Sequence, residues 1–139
     1  MPIFNAESPN LEGDGPLIEV TFGLVRAAAV HLEAGTVPNP VRATALIDTG
    51  ASATVVKTDL LDPLGLHPVG EVPVNTPTGH NVPCLIYAVQ LTLPQGTIEV
   101  TVIEAPLEGQ NIQALIGRDV LKHALLIYQG PSSQFTLSF

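Results

Sequence analysis

The chain has 139 residues, 45% of them apolar and 13% charged, a balance that excludes a disordered polypeptide and suits one domain with its own core. The formal net charge is −8, and the five basic residues (Arg26, Arg42, Lys57, Arg118, Lys122) form no cluster, so neither nucleic acid nor an anionic membrane surface is an expected partner. Cys84 is the single cysteine, which rules out an internal disulfide, and His31, His67, His80 and His123 are too scattered for a metal site, so no metal and no cofactor is expected.

Met1–Ser8 has no basic start and no long apolar run, so no secretory signal is read there, and no segment approaches membrane-spanning length. The cytoplasm is the expected compartment. Residues 1–16 read as an N-terminal arm or loop, with Asn5–Pro16 rich in turn formers and acids. Residues 17–139 read as one domain. Leu17–Val25 alternates in part and predicts a strand, a second strand is expected over Ala27–Leu32, and Gly35–Pro40 is a turn. Val41–Asp48 is nearly continuous in apolar character at its end, as a buried strand is.

Ala53–Val56 is a further short strand, and Thr58–Leu66 a turn or short helix with Thr58 as its cap. Glu71–Val74 and Val82–Leu93 flank the polar link Asn75–Asn81 and predict a hairpin. Beyond Gly96, Thr97–Ile103 alternates well and pairs with Val82–Leu93 in a second hairpin. Ala114–Gly117 is apolar and ends in Gly. Arg118–His123 predicts a short helix, with Asp119 in its first turn and Lys122 and His123 in its last, as the helix dipole favours. Leu125–Tyr128 and Gln134–Phe139 are the final strands. Thirteen Pro and twelve Gly, with frequent Val, Ile and Thr, favour many short strands. The expected fold is mostly β, a small closed β-barrel with one short C-terminal helix.

One stretch stands apart. Ala45-Leu46-Ile47 is an apolar strand that stops at Asp48 and turns at once through Thr49-Gly50-Ala51-Ser52. Burying a carboxylate beside apolar neighbours costs free energy, so folding alone gives little reason for Asp48. Two readings are open on these residues: a functional carboxylate, or an Asp that caps a turn.

Together, the Leu46–Ser52 stretch, the segment Ala114-Leu115-Ile116-Gly117-Arg118-Asp119-Val120-Leu121 and the terminal Phe135–Phe139 strand resemble the retroviral-type, retropepsin-like aspartic proteases, especially bacterial ones. The resemblance covers residues 17–139 as a pattern. It implies the barrel fold and an aspartic endopeptidase acting on a peptide or protein substrate, with Asp48 catalytic and Thr49 and Gly50 supporting the active-site loop. It implies that Ala51, Ser52 and the flap residues Thr78 and Gly79 bind substrate, and that Arg118 and Asp119 form a structural bracket. Two departures stand out. The candidate flap has Pro77 and a single Gly79 where the family is Gly-rich. Ser52 and Ala53 stand where an acid often pairs with the Arg, so Arg118 has either Asp119 or a second subunit as its partner.

Carboxylate-driven peptide hydrolysis needs two carboxyls, one ionised and one protonated. The chain has one Asp-Thr-Gly, so the implied dyad comes from two copies of Asp48 in a homodimer. The same fold also admits a non-catalytic peptide-binding or assembly module. The Phe135–Phe139 strand reads equally as an internal sheet strand or as a dimer strand.

Overall fold

The computed structural model describes residues 3–33, 35–76, 79–107 and 111–139, with residues 3 and 4 described by their backbone. The chain opens with β1 (Ile3–Glu7) and a single helical turn, α1 (Leu11–Asp14). This corrects the expected loop or arm over Asn5–Pro16. Leu11 is buried in the core, and Ser8 N–H donates to Ser133 O at 2.9 Å, so the segment is tied down along its length.

β2 (Leu17–Gly23) alternates as its sequence does, with Ile18, Val20 and Phe22 buried and Glu19 exposed. The strand expected over Ala27–Leu32 is instead the helical turn α2 (Arg26–Ala29). Three consecutive alanines favour helix over strand, and Glu99 Oε1 accepts the open Arg26 N–H at 2.8 Å. β3 (Val41–Ile47) and β4 (Val55–Lys57) follow, then a 3-10 turn over Asp62–Leu64. β5 (Gly70–Thr76) and β6 (Gly79–Leu93) form the expected first hairpin, and its strands run further than their sequence predicts. The link thus shrinks to residues 77 and 78, so the substrate-binding role expected of Thr78 lies outside the described residues. β7 (Gly96–Ala105) completes the second hairpin. The remaining elements are β8 (Ala114–Ile116), α3 (Arg118–Leu121), β9 (Leu125–Gln129) and β10 (Gln134–Ser138). The expected short helix near the C-terminus is α3, one turn long, and α1 and α2 add two more turns among the described residues.

Strand pairing runs β2-β3-β8-β4-β7-β6-β5, and a further β2–β6 pairing returns the path to its start. Six strands thus form a ring of pairings, from which β5 projects as the outer strand of its hairpin. Two pairings in the ring are parallel, β3 with β8 and β4 with β7. A separate three-stranded sheet has the order β1-β10-β9, with both pairings antiparallel. β10 is therefore an internal strand, occupied on both edges by its own chain.

Phe22, Val56, Val89, Leu91, Val102, Ile116, Val120, Phe135 and Leu137 are fully buried and belong to one cluster. Both sheets contribute to it, which joins β10 to the ring through side-chain packing. None of the described helices is long and apolar enough to cross a membrane.

Candidate active site

β3 delivers Asp48 to the end of the ring. The Asp48 N–H donates to Ile116 O at 2.9 Å, which carries the parallel β3–β8 pairing one residue past Ile47. The chain then turns, and the Ala51 N–H donates back to Asp48 O at 3.2 Å. The Gly50 N–H donates to Asp48 Oδ1 at 2.8 Å, which fixes one carboxylate oxygen within the turn. Asp48 Oδ2 is engaged by none of the described residues. Asp48 is half-buried, and Thr49 and Gly50 are exposed. A Cβ at residue 50 would stand 3.1 Å from Asp48 Oδ1, so Gly50 keeps space beside the carboxylate.

The loop is held from the segment after β8. The Arg118 N–H donates to Ala51 O at 2.8 Å, and Arg118 Nη1 donates to Thr49 O at 2.7 Å. With the Asp48–Ile116 bond, three hydrogen bonds from residues 116–118 fix residues 48–51. The sequence leaves two partners open for Arg118, Asp119 or a second subunit. Within the chain its partner is instead the Thr49 carbonyl.

Asp119 turns the other way. Its Oδ1 accepts from Thr54 Oγ1 at 2.8 Å and from the Val120 N–H at 2.9 Å, and its Oδ2 accepts from the Thr54 N–H at 3.0 Å. Thr54 Oγ1 also accepts the Gly117 N–H at 3.2 Å. Thr54 is fully buried, so its hydroxyl is stable there because both its donor and acceptor functions are used. Three donors thus converge on one carboxylate, which makes Asp119 a structural hub for this crossing.

Two residues of this bracket escape a reading of the sequence by chemistry. Thr54 sits in the apolar run Ala53–Val56 and looks like any strand threonine. Its one signal is a hydroxyl at a position the alternation buries. Gly117 looks like a simple strand end. A Cβ there would lie 2.5 Å from both the carbonyl carbon and the oxygen of Ala53, so the two chain segments cross too closely for a side chain. Its φ of −92° is ordinary, so contact and not conformation demands Gly.

The substrate-binding residues expected near Asp48 divide in their placement. Ala51 is half-buried within the loop and Ser52 is exposed beside it. Gly79 opens β6 at the tip of the first hairpin, paired with Thr76, with Val82 Cγ2 3.0 Å from where its Cβ would be. Asn75 Oδ1 accepts the Asn81 N–H at 3.1 Å, and Asn81 has a positive φ of 52°, so polar side chains shape this tip in place of additional glycines.

The family model for aspartyl proteases matches residues 34–120, more than half the chain and inclusive of both the Asp48 loop and the Arg118–Asp119 bracket. None of the curated proteins matches the sequence. Among solved structures, a retropepsin-like aspartic protease from Rickettsia conorii superposes with a TM-score of 0.56 at 14% identity, over 99% of this chain and 92% of that one. EIAV protease, solved with the inhibitor HBY-793, superposes with a TM-score of 0.54 at 20% identity, over 84% of this chain and 92% of that one. At these identities the superpositions establish a shared retropepsin-like fold, and with the matching family model they show that the chain belongs to the aspartyl protease family.

Proposed function

We propose that this protein is an aspartic endopeptidase that hydrolyses peptide bonds in an extended polypeptide, with Asp48 from each of two subunits forming the catalytic dyad. The observation that carries the reading is the state of the Asp48 carboxylate. One oxygen is held by the Gly50 N–H, the other is left open among the described residues, and the loop is braced from Ile116 and Arg118. The ring of six strands is read as a closed barrel, with this loop at its end.

Two facing carboxyls share one proton, because both cannot easily ionise at close range. The ionised carboxylate takes a proton from water as the water oxygen attacks the scissile carbonyl carbon. The protonated carboxyl gives its proton to the carbonyl oxygen, which yields a tetrahedral diol. Collapse of that intermediate breaks the C–N bond as a proton passes to the nitrogen, giving a carboxylic acid and an amine. One subunit has one Asp-Thr-Gly, so it lacks the second carboxyl. A two-fold axis near the loop supplies it.

Thr49 and Gly50 support the loop, Ala51 and Ser52 line the bound peptide backbone, and the hairpin tip with Thr78 and Gly79 closes over it. The peptide lies as an added strand with alternate side chains in apolar pockets. Arg118 and Asp119 hold the loop and do not touch substrate.

A second reading rests on the same Gly50 bond, which is also what a turn-capping Asp makes. In that reading the chain is a non-catalytic peptide-binding or assembly module. Wild type, Asp48→Asn and Asp48→Ala on a diverse peptide library separate the two. The endopeptidase reading expects cleavage by wild type and none by either variant, with Asp48→Asn folded as judged by circular dichroism. Cleavage that survives in Asp48→Ala overturns it, and a wild type inert across the library favours the module.

A further inference from the structure

We infer that Pro73 is a specificity-determining residue: it ends backbone pairing along the β5 edge of the first hairpin, so that the hairpin holds an extended peptide at the level of Asn75. The inference rests on the reading of this hairpin as the element that closes over a peptide. The place of the stop comes from the register of the strands.

The hairpin outgrows the ring. β6 pairs with β7 from Ile86↔Ile103 to Leu93↔Gly96, and with β5 from Gly70↔Ile86 to Thr76↔Gly79. Residues 79–85 therefore have β5 as their one partner strand among the described residues, and β5 has only β6. The result is a two-stranded ribbon with two outer edges, and an extended peptide can add to a sheet edge as a further strand.

Pro73 stands directly opposite Pro83. Neither has an N–H, so the two cannot exchange ladder bonds and form a non-hydrogen-bonded pair. The alternation follows from that. Val72↔Cys84 and Val74↔Val82 exchange bonds across the ribbon, while residues 71, 73 and 75 on β5 and 83 and 85 on β6 turn their backbone groups outward. Each edge thus lacks a donor at its middle, and the proline ring fills the space where an added strand would approach. Pro73 and Pro83 are both exposed, with Val72, Val74 and Val82 half-buried and Cys84 buried on the opposite face.

The edges differ near the tip. Between Val74↔Val82 and Thr76↔Gly79, β5 has Asn75 alone and β6 has both His80 and Asn81, so the bulge belongs to β6. β5 keeps its alternation, and Asn75 keeps an outward N–H and C=O. On β6, Asn81 has a φ of 52° and donates its N–H to Asn75 Oδ1 at 3.1 Å. Asn81 thus spends its donor inside the ribbon and Pro83 has none, so β6 offers a peptide no donor across residues 81–84. The peptide is therefore taken on the β5 edge. A strand paired with Asn75 exchanges two hydrogen bonds there, and its next such position, two residues along, meets Pro73.

The test reads peptide affinity of the full chain by fluorescence anisotropy, with Asp48→Asn present throughout so that no peptide is cut. The probe is the tightest-binding library peptide, trimmed one residue at a time from each end. Without a change at Pro73, affinity is expected to stop rising at the residue that faces Asn75. Pro73→Val restores an outward N–H at an exposed position. It is expected to carry the gain two residues further, with a Kd lower by about 2- to 10-fold, the worth of one hydrogen bond. Pro83→Val restores an N–H on the other edge and is expected to leave the length profile unchanged. A Pro73→Val profile identical to its parent, or the gain appearing in Pro83→Val instead, overturns the stop, and so does a chain that binds none of the peptides. If Pro73→Val does not fold, single N-methyl groups scanned through the peptide decide. A methyl on the last residue of the parent profile is expected to weaken binding by about 10-fold, and one two residues further on to have no effect. Equal losses at the two positions overturn the stop. The expected profiles, found together with an Asp48 chain that cleaves nothing, support the stop and overturn only the endopeptidase reading.

Discussion

The bracket beneath the Asp48 loop makes a sharp stability prediction at Thr54. Thr54→Val keeps shape and burial and removes one hydroxyl. Two interactions go with it: the 2.8 Å donation to Asp119 Oδ1 and the 3.2 Å acceptance from the Gly117 N–H. A hydrogen bond to a charged group contributes about 1.5–3 kcal/mol, and a buried donor left unpaired costs about 1–3 kcal/mol. The Thr54 and Val120 N–H groups still bind Asp119, so the carboxylate keeps two of its three donors. The expected loss is therefore about 3 kcal/mol, a large share of the stability of a domain this size.

The assay is urea unfolding of wild type, Thr54→Val and Thr54→Ser. Thr54→Ser keeps the hydroxyl and loses one buried methyl, at a cost of about 1 kcal/mol. The expected order of stability is wild type, then Ser, then Val, with equal slopes in denaturant. In thermal melts the Val variant is expected to fall by on the order of 10 °C. If apolar burial in Ala53–Val56 were what mattered, Val would be the better replacement. A Val variant as stable as Thr54→Ser, or more so, refutes the bracket argument.

Gly117→Ala places a Cβ 2.5 Å from the Ala53 backbone and is expected to cost about 3 kcal/mol by overpacking. Gly70→Ala, whose nearest neighbour would be Ile86 Cδ1 at 3.7 Å, is expected to be close to neutral, and equal costs in thermal melts would refute the close-crossing argument. Glu104 has its carboxyl pushed above the usual range, first by burial and then by the nearby charges of Asp59 and Asp62, while an N–H from Asp59 opposes the shift. An acid with a raised folded pKa loses stability as pH climbs from its ordinary value through the raised one. Glu104→Gln is thus expected to stabilise at neutral pH and to match wild type below pH about 4. A gain of equal size at both pH values in melts would show that charge is not the cause.

Much of the β framework was legible in the residues because its strands alternate or run apolar between clear turn formers. Ile18, Val20 and Phe22 announce β2, and the Thr97–Ile103 pattern announces β7. The misses have physical reasons. Ala27–Leu32 is apolar enough for a strand, but its three alanines have the stronger helical preference. The N-terminal segment reads as a loop because β1 gains its order from β10, some 130 residues away, and local sequence carries no trace of that pairing. Of the site, Asp48 was legible as a carboxylate out of place. The partners of Arg118 and Asp119 were not legible, because Thr54 and the Thr49 carbonyl are ordinary groups made special by a crossing of two chain segments.

That crossing also sets where the molecule opens first. β4 and β8 are three residues long, against fifteen for β6 in the neighbouring hairpin. Short strands supply few backbone bonds, so the side chains of Thr54, Arg118 and Asp119 carry an unusual share of local stability around Asp48. The Asp48 and Arg118 amides, bonded to Ile116 O and Ala51 O, then exchange with solvent through local opening of this unit and not through global unfolding. Thr54→Val is expected to accelerate both amides by about 100-fold, the factor that corresponds to its loss of about 3 kcal/mol. Leu137→Ala, in β10 and fully buried, weakens the whole fold by about 2–5 kcal/mol but leaves this local opening untouched. Its Asp48 and Arg118 amides are expected to exchange at the wild-type rate while the slowest amides of β6 and β7 speed up. If hydrogen exchange shows all of them accelerating together in Leu137→Ala, the loop opens only with the whole domain, and its side-chain bracket has no stability of its own.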